Sequence, residues 1–142
     1  MTEDQLLVEA LLRAMREIRR HYDQSASELG LTLSRARVIT ALARMEGATQ
    51  AELAADLGIE APTLKRQIDA LEAEGFLERH GLDGDARKRA LVLTEKGRSA
   101  RISMFMEKIR GLILEGIPPD EQSRLRAALE RIADNAARMN QP

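Results

Sequence analysis

The sequence predicts a mainly α-helical chain with one small β-hairpin: a winged helix-turn-helix flanked by long N- and C-terminal helices. Three observations carry that prediction. Two short amphipathic segments, "TQAELAADLGI" and "EAPTLKRQIDALEAEG", meet across a short turn containing Gly58. Two strand-like segments, "FLERH" and "RALVL", follow at once, separated by "GLDGDARK", a stretch rich in turn formers. Apolar residues recur at helical spacing over long segments at both ends of the chain.

The first helix is expected over 3–29, where Leu11, Met15, Ile18, Tyr22 and Leu29 recur at steps of three, four or seven. Thr2 is placed to cap it with Gln5 as capping-box partner, and Gly30 to stop it. "LTLSRARVITALARMEG" is a second helix, capped by Thr32 or Ser34. Val38, Ile39, Leu42 and Met45 form its inner face, and Gly47 ends it. In the third, Thr49 and Glu52 make a capping box, Leu53 and Leu57 a short stripe, and Gly58 the stop. The fourth starts near Pro62, a residue suited to a first turn, and stops at Gly75. After the hairpin, Thr94 is placed to cap a long helix over about 95–116, with Ile102, Phe105, Ile109, Leu112 and Ile113 on its apolar side. Pro118 and Pro119 break the chain, and Asp120 and Glu121 sit where a helix start favours negative charge. In the last helix Leu125, Leu129, Ile132, Ala136 and Met139, at steps of 4, 3, 4 and 3, form a narrow heptad seam.

Composition narrows the function classes. A chain of 142 residues has the size of one ordinary domain, and 44% apolar content is enough material for a core. Aromatic residues are 2% of it and Trp is absent, which argues against stacking platforms for single-stranded nucleic acid. Lys and Arg number 22 against 23 Asp and Glu, so nucleic-acid binding must come from local patches. There is no Cys, which removes disulfides, thiol redox sensing and Cys–zinc sites. His21 and His80 are the only histidines, so no metal site is expected, and no cofactor. No Gly-rich phosphate loop or catalytic constellation points to an enzyme. The N-terminus carries scattered charges rather than a signal peptide, and no apolar run approaches ~18 residues, so the expectation is a soluble, cytoplasmic protein without a membrane partner.

On the fourth helix, Leu64, Ile68 and Leu71 share one face and must point inward, so Arg66 faces outward, with Pro62 nearby and Thr63 on the flank. The N-terminal turns of a recognition helix reach base edges in the major groove. The guanidinium fork of Arg66 matches guanine O6 and N7, and Thr63 offers a methyl or a hydroxyl. Lys65 and Gln67 lie on opposite flanks, suited to phosphates. Outside a helix-turn-helix, the same charges would read as a solvated helix face. Over residues 49–97, Lys and Arg number 7 and Asp and Glu 10, a difference of −3. Binding to random DNA should therefore be weak and depend on a well-fitted site. The seams of the first and last helices predict a symmetric homodimer, in preference to helices packed only on their own domain.

The order and spacing of these segments resemble the MarR family of bacterial transcription regulators, its SlyA branch in particular. "GLTLSRARVITAL" is similar to the family's second helix and "TQAELAADLGIEAPTLKRQIDALEAEGFLER" to its helix-turn-helix. "DARKRALVLTEKG" is similar to its wing, marked by Asp85, Arg87, Leu93, Thr94 and Gly97, and "ILEGIPPDE" to the SlyA-like entry to the last helix. The resemblance implies a dimer, with 1–30 and 98–142 as the dimerisation region and 31–97 as the DNA-binding domain, on double-stranded DNA carrying an inverted repeat. It also implies that Arg87 enters the minor groove, where a narrow A·T-rich groove concentrates negative potential. Asp85 would orient Arg87, and Lys88 and Arg89 would reach phosphates. That accounts for three adjacent cations, which otherwise read as a solvated turn. SlyA-like wings often carry D-R-R where this one has Ala86 in the middle, one groove-reaching cation fewer. The resemblance further implies a small aromatic or anionic effector. Arg13, Arg16, His21 and Tyr22 on the first helix, Arg35 on the second and Met104 on the fifth are the candidates, each also readable as surface charge or core. The alternative function is a winged-helix protein-interaction module without DNA; the cations at 87–89 argue against it.

Overall fold

Side-chain capping sets where the first three helices begin. The structure, a computed structural model, describes residues 1–26, 29–82 and 85–142, and of residues 25, 26, 85–88 and 100 the backbone alone. α1 (Glu3–Ala26) starts behind Thr2, whose backbone N–H donates to the Gln5 side chain at 2.8 Å. Of the last residues expected in this helix, 27 and 28 lie outside the described residues, and Leu29 falls beyond α1. α2 (Leu33–Arg44) is capped by Thr32, which accepts from the Arg35 N–H at 3.3 Å; Ser34 is already inside the helix. The helix ends at Arg44, and Gly47 takes its positive φ after an intervening turn. α3 (Gln50–Leu57) carries the complete Thr49–Glu52 capping box, with backbone-to-side-chain bonds of 3.3 and 3.2 Å. Gly58 closes α3 in the left-handed region at φ 65°, where an L side chain is strained. α4 (Ala61–Ala73) follows with Pro62 in its first turn.

The wing is longer than the turn-forming residues suggest. β1 (Leu77–Leu82) and β2 (Asp85–Leu93) pair antiparallel, in register from Leu77 opposite Leu93 to Gly81 opposite Arg89. After an irregularity, Leu82 faces Asp85. Residues 87–89 therefore belong to the return strand rather than to the turn; residues 83 and 84 lie outside the described residues. The second edge of β2 is held at its base. The Gly47 N–H donates to the Leu91 carbonyl at 2.8 Å, and the Leu91 N–H donates to the Ala48 carbonyl at 2.9 Å. The loop between α2 and α3 thus pairs with the wing and fixes it to the helices.

The long helix expected from 95 begins later, as α5 (Ala100–Ile113). Thr94 spends its hydroxyl elsewhere: it donates to the Gly75 carbonyl at 2.6 Å and accepts from the Gly97 N–H at 3.2 Å. It caps the turn over 95–98 instead of α5. At its far end α5 stops at Ile113 rather than 116, and Gly116 has φ 81°. α6 (Pro119–Met139) opens with Asp120 and Glu121 in its first turn, as its N-terminal dipole favours.

The chain forms two compact units, Met1–Met106 and Glu107–Pro142. In the first, α2, α3 and α4 pack on one another and on the hairpin around Val38, Leu42, Leu53, Leu64, Ile68, Leu71, Leu77 and Leu91, all fully buried. α1 contacts α2, and Tyr22 is buried. Along α1, however, Leu6, Leu7, Val8, Leu12 and Met15 are exposed, a broader apolar surface than the expected seam and one that includes Met15. In the second unit no residue of α6 is buried, and Leu125, Leu129, Ile132 and Met139 are exposed. No helix among the described residues is long and apolar enough to cross a membrane.

Candidate nucleic-acid interface

The helix-turn-helix presents α4 by burying one of its faces. Leu64, Ile68 and Leu71 are fully buried, so the helix can rotate neither way without exposing them. The period of 3.6 then puts Pro62, Lys65 and Arg66 in solvent and leaves Thr63 and Gln67 half-buried at the flanks. The three consecutive polar residues meet different fates. Lys65 donates to Asp69 one turn on, at 2.9 Å. Gln67 accepts from Arg35 of α2 at 3.4 Å, and Arg35 also pairs with Glu74 at 3.1 Å. Arg66 between them has no hydrogen bond or ion pair among the described residues and is exposed.

A cluster that the sequence reading missed joins α4 to the wing. Arg79, on β1, has a side chain only 14% exposed. It donates to Asp69 at 2.5 Å, to Glu72 at 2.7 Å and to Gln50 of α3 at 3.2 Å, while its backbone N–H donates to Glu72 at 3.2 Å. Asp69 thus holds two cations, and its carboxyl lies below the usual carboxylate range because of the Lys65 bond first and the Arg79 bond second. The available signal was the spacing of Asp69 and Glu72, three apart and so neighbours on one helical face. Two carboxylates so placed call for a cation from the element that packs there.

On the wing, Arg89 is exposed opposite Gly81. The backbone of Asp85, Arg87 and Lys88 lies on β2, and their side chains are outside the described residues. The effector candidates are not gathered at one point. Arg13 and Arg16 are exposed on α1, and Arg16 lines a shallow hollow with Met15, Arg19, Arg20, Asp23 and Gln24, all from α1. His21 is exposed and Tyr22 buried on the same helix. Arg35 is turned toward α4, as above, and Met104 is 66% exposed, whereas Met106 two residues on is the methionine that enters the core. Among the described residues no group of acidic, His or Cys side chains is placed to hold a metal ion.

A sequence model of the MarR family matches residues 29–88, which span α2, the helix-turn-helix and the start of the wing. Among solved structures, transcriptional regulator PA3341 is 34% identical with a TM-score of 0.74, over 93% of this chain and 98% of that one. AbsC, a MarR family transcriptional regulator from Streptomyces coelicolor, has a TM-score of 0.85 at 21% identity, over 96% of this chain and 97% of that one. A mutant MarR from E. coli, complexed with operator DNA, has a TM-score of 0.76 at 21% identity, over 89% and 92%. At such identity the last two speak for the fold: a winged helix-turn-helix with helices at both ends.

Proposed function

We propose that this chain, which belongs to the MarR family, works as a homodimeric, sequence-specific regulator of the SlyA-like branch that binds an inverted repeat in duplex DNA. Residues 31–97 form the DNA-binding domain, and 1–30 with 98–142 the dimerisation region. α4 enters the major groove with Arg66 at base edges and Pro62 and Thr63 beside it. The wing lays Arg87 in the minor groove, oriented by Asp85, and Lys88, Arg89, Lys65 and Gln67 lie near phosphates. The observation that carries this reading is that the Arg66 side chain has no hydrogen bond or ion pair among the described residues. Its neighbours on both sides are engaged within the protein, and the one long, forked donor at the outward face of α4 is left for a partner. Response to a small aromatic or anionic compound belongs to the same reading, and the arginines around the α1 hollow support it.

Selection of bound sequences from random duplex DNA tests the proposal. The expected product is an inverted repeat with half-sites about one helical turn, ~34 Å, apart. A single asymmetric half-site, or no enrichment at all, refutes it.

A further inference from the structure

Asp69 raises a question that docking on DNA does not answer. On a helix read as entering the major groove, a carboxylate beside Lys65 is repelled by the phosphates that would attract that lysine. Helix stability is a poor account of it: Lys65 precedes Asp69 in the chain, the order that supports a helix less well. Its second partner is more telling. Arg79 is mostly buried and is tied at once to Asp69, Glu72 and Gln50, so it anchors Asp69 from the wing side. Lys65, 64% exposed and held by one ion pair among the described residues, is the loose member of the set. The same contacts fix where Lys65 lies. Asp69 bridges α4 to β1, which places Lys65 on the side of α4 that faces the wing. A duplex read by a helix in one groove and a wing in the next must pass a phosphate strand between the two, on that side of α4.

We propose that Asp69 is a positioning residue that sets specificity: clamped by Arg79, it holds Lys65 in an ion pair that a phosphate of a well-fitted duplex displaces. This rests on the DNA-binding reading above. An exposed pair of this kind is weak enough to exchange when a phosphate is brought close. On a poorly fitted duplex no phosphate comes close enough, Lys65 stays with Asp69, and that contact is not made. Asp69 remains paired with Arg79 in both states, so the exchange leaves no uncompensated carboxylate.

The test uses the full chain, a duplex selected by the wild type, and a scrambled duplex of the same length, at 50 and 200 mM salt. Asp69→Asn frees Lys65 for any phosphate. Affinity for the scrambled duplex should rise more than affinity for the selected one. The salt slope on the scrambled duplex should steepen by about 0.9, an extra three- to fourfold loss of affinity across about this salt interval. Asp69→Glu keeps a carboxylate beside Lys65 and should restore the wild-type slope. Adding Lys65→Gln to Asp69→Asn should cancel the steepening. If the Asn variant does not fold, Lys65→Gln alone decides: it should weaken the selected duplex and leave the scrambled one nearly unchanged. Wild-type binding with an unchanged slope in Asp69→Asn overturns this inference alone, as does an equal gain in affinity without Lys65, which marks plain loss of a repulsive charge. Failure of the wild type to bind any duplex overturns the DNA-binding reading and this inference with it.

Discussion

Arg66 and Arg87 should fail in different ways when each is replaced by alanine. Arg66 is proposed to meet a base edge, so its loss should cost roughly 1–3 kcal/mol and relax preference at that base pair. Arg87 is proposed to lie in the minor groove, so its loss should weaken binding most for A·T-rich flanks and lower the salt dependence. Titrating both variants against the selected duplex and its single-base substitutions separates the two. An Arg66→Ala variant that loses affinity uniformly, with base preference intact, shows that α4 is oriented differently on DNA. The outward position of Arg66 was legible because Leu64, Ile68 and Leu71 define the buried face by period alone, and all three are fully buried. Arg79 was not legible in the same way. It acts across elements, from β1 to α4 and α3, and nothing in the local sequence around "FLERH" says which carboxylates it will meet. The tie of Arg35 to Gln67 and Glu74 escaped for the same reason: partners 32 and 39 residues away are set by packing, not by spacing.

At the scale of elements, the starts of α1, α2 and α3 were legible through their threonine caps, because a cap is local chemistry. The Thr49–Glu52 box and the stop at Gly58 involve residues a few positions apart, and both form as expected. The start of α5 depends on something distant. Thr94 turns to the Gly75 carbonyl, and Gly97 packs so closely on the end of α4 and the start of the wing that a Cβ there would overlap the Phe76 carbonyl oxygen. Lys96 completes this joint, donating to the Glu74 carbonyl at 2.9 Å with its ammonium 4.4 Å from the centre of the Phe76 ring. The Gly97→Ala variant should therefore be destabilised by about 1–3 kcal/mol, toward the upper end because backbone cannot give way as a side chain does. Thermal denaturation checks this; an unchanged midpoint would show that the turn relaxes freely. The joint also matters for the wing. It lies where β2 leaves the hairpin, and Glu46 ties into it by accepting from the Leu93 N–H at 3.1 Å and from Arg98. A loosened joint should blunt the contribution of the wing to binding even at temperatures where the chain stays folded.

At the scale of the whole molecule, the charge count and the apolar surfaces lead to the same requirement. With −3 over residues 49–97, one helix-turn-helix and wing have little general attraction for DNA, so a useful operator affinity needs two copies bound together. The proposed dimer supplies them, and the chain carries apolar surface on α1 and α6 available for it. Leu129 and Ile132 of α6 are 39% and 37% exposed in the single chain. Aspartates in their place can still reach water there, so the fold of the isolated chain should survive the double change Leu129→Asp with Ile132→Asp. Across a symmetric seam the same change buries unpaired carboxylates from both copies, which is strongly unfavourable. Sedimentation should then show the wild type at twice the 15.8 kDa chain mass and the variant at the chain mass, with helical content retained by circular dichroism. Operator binding should fall in parallel, because the second half-site is no longer delivered by the first. A wild-type monomer at micromolar concentration refutes the dimer outright. A variant that stays dimeric moves the interface away from α6 and leaves the exposed residues of α1, from Leu6 to Met15, as the surface to substitute next.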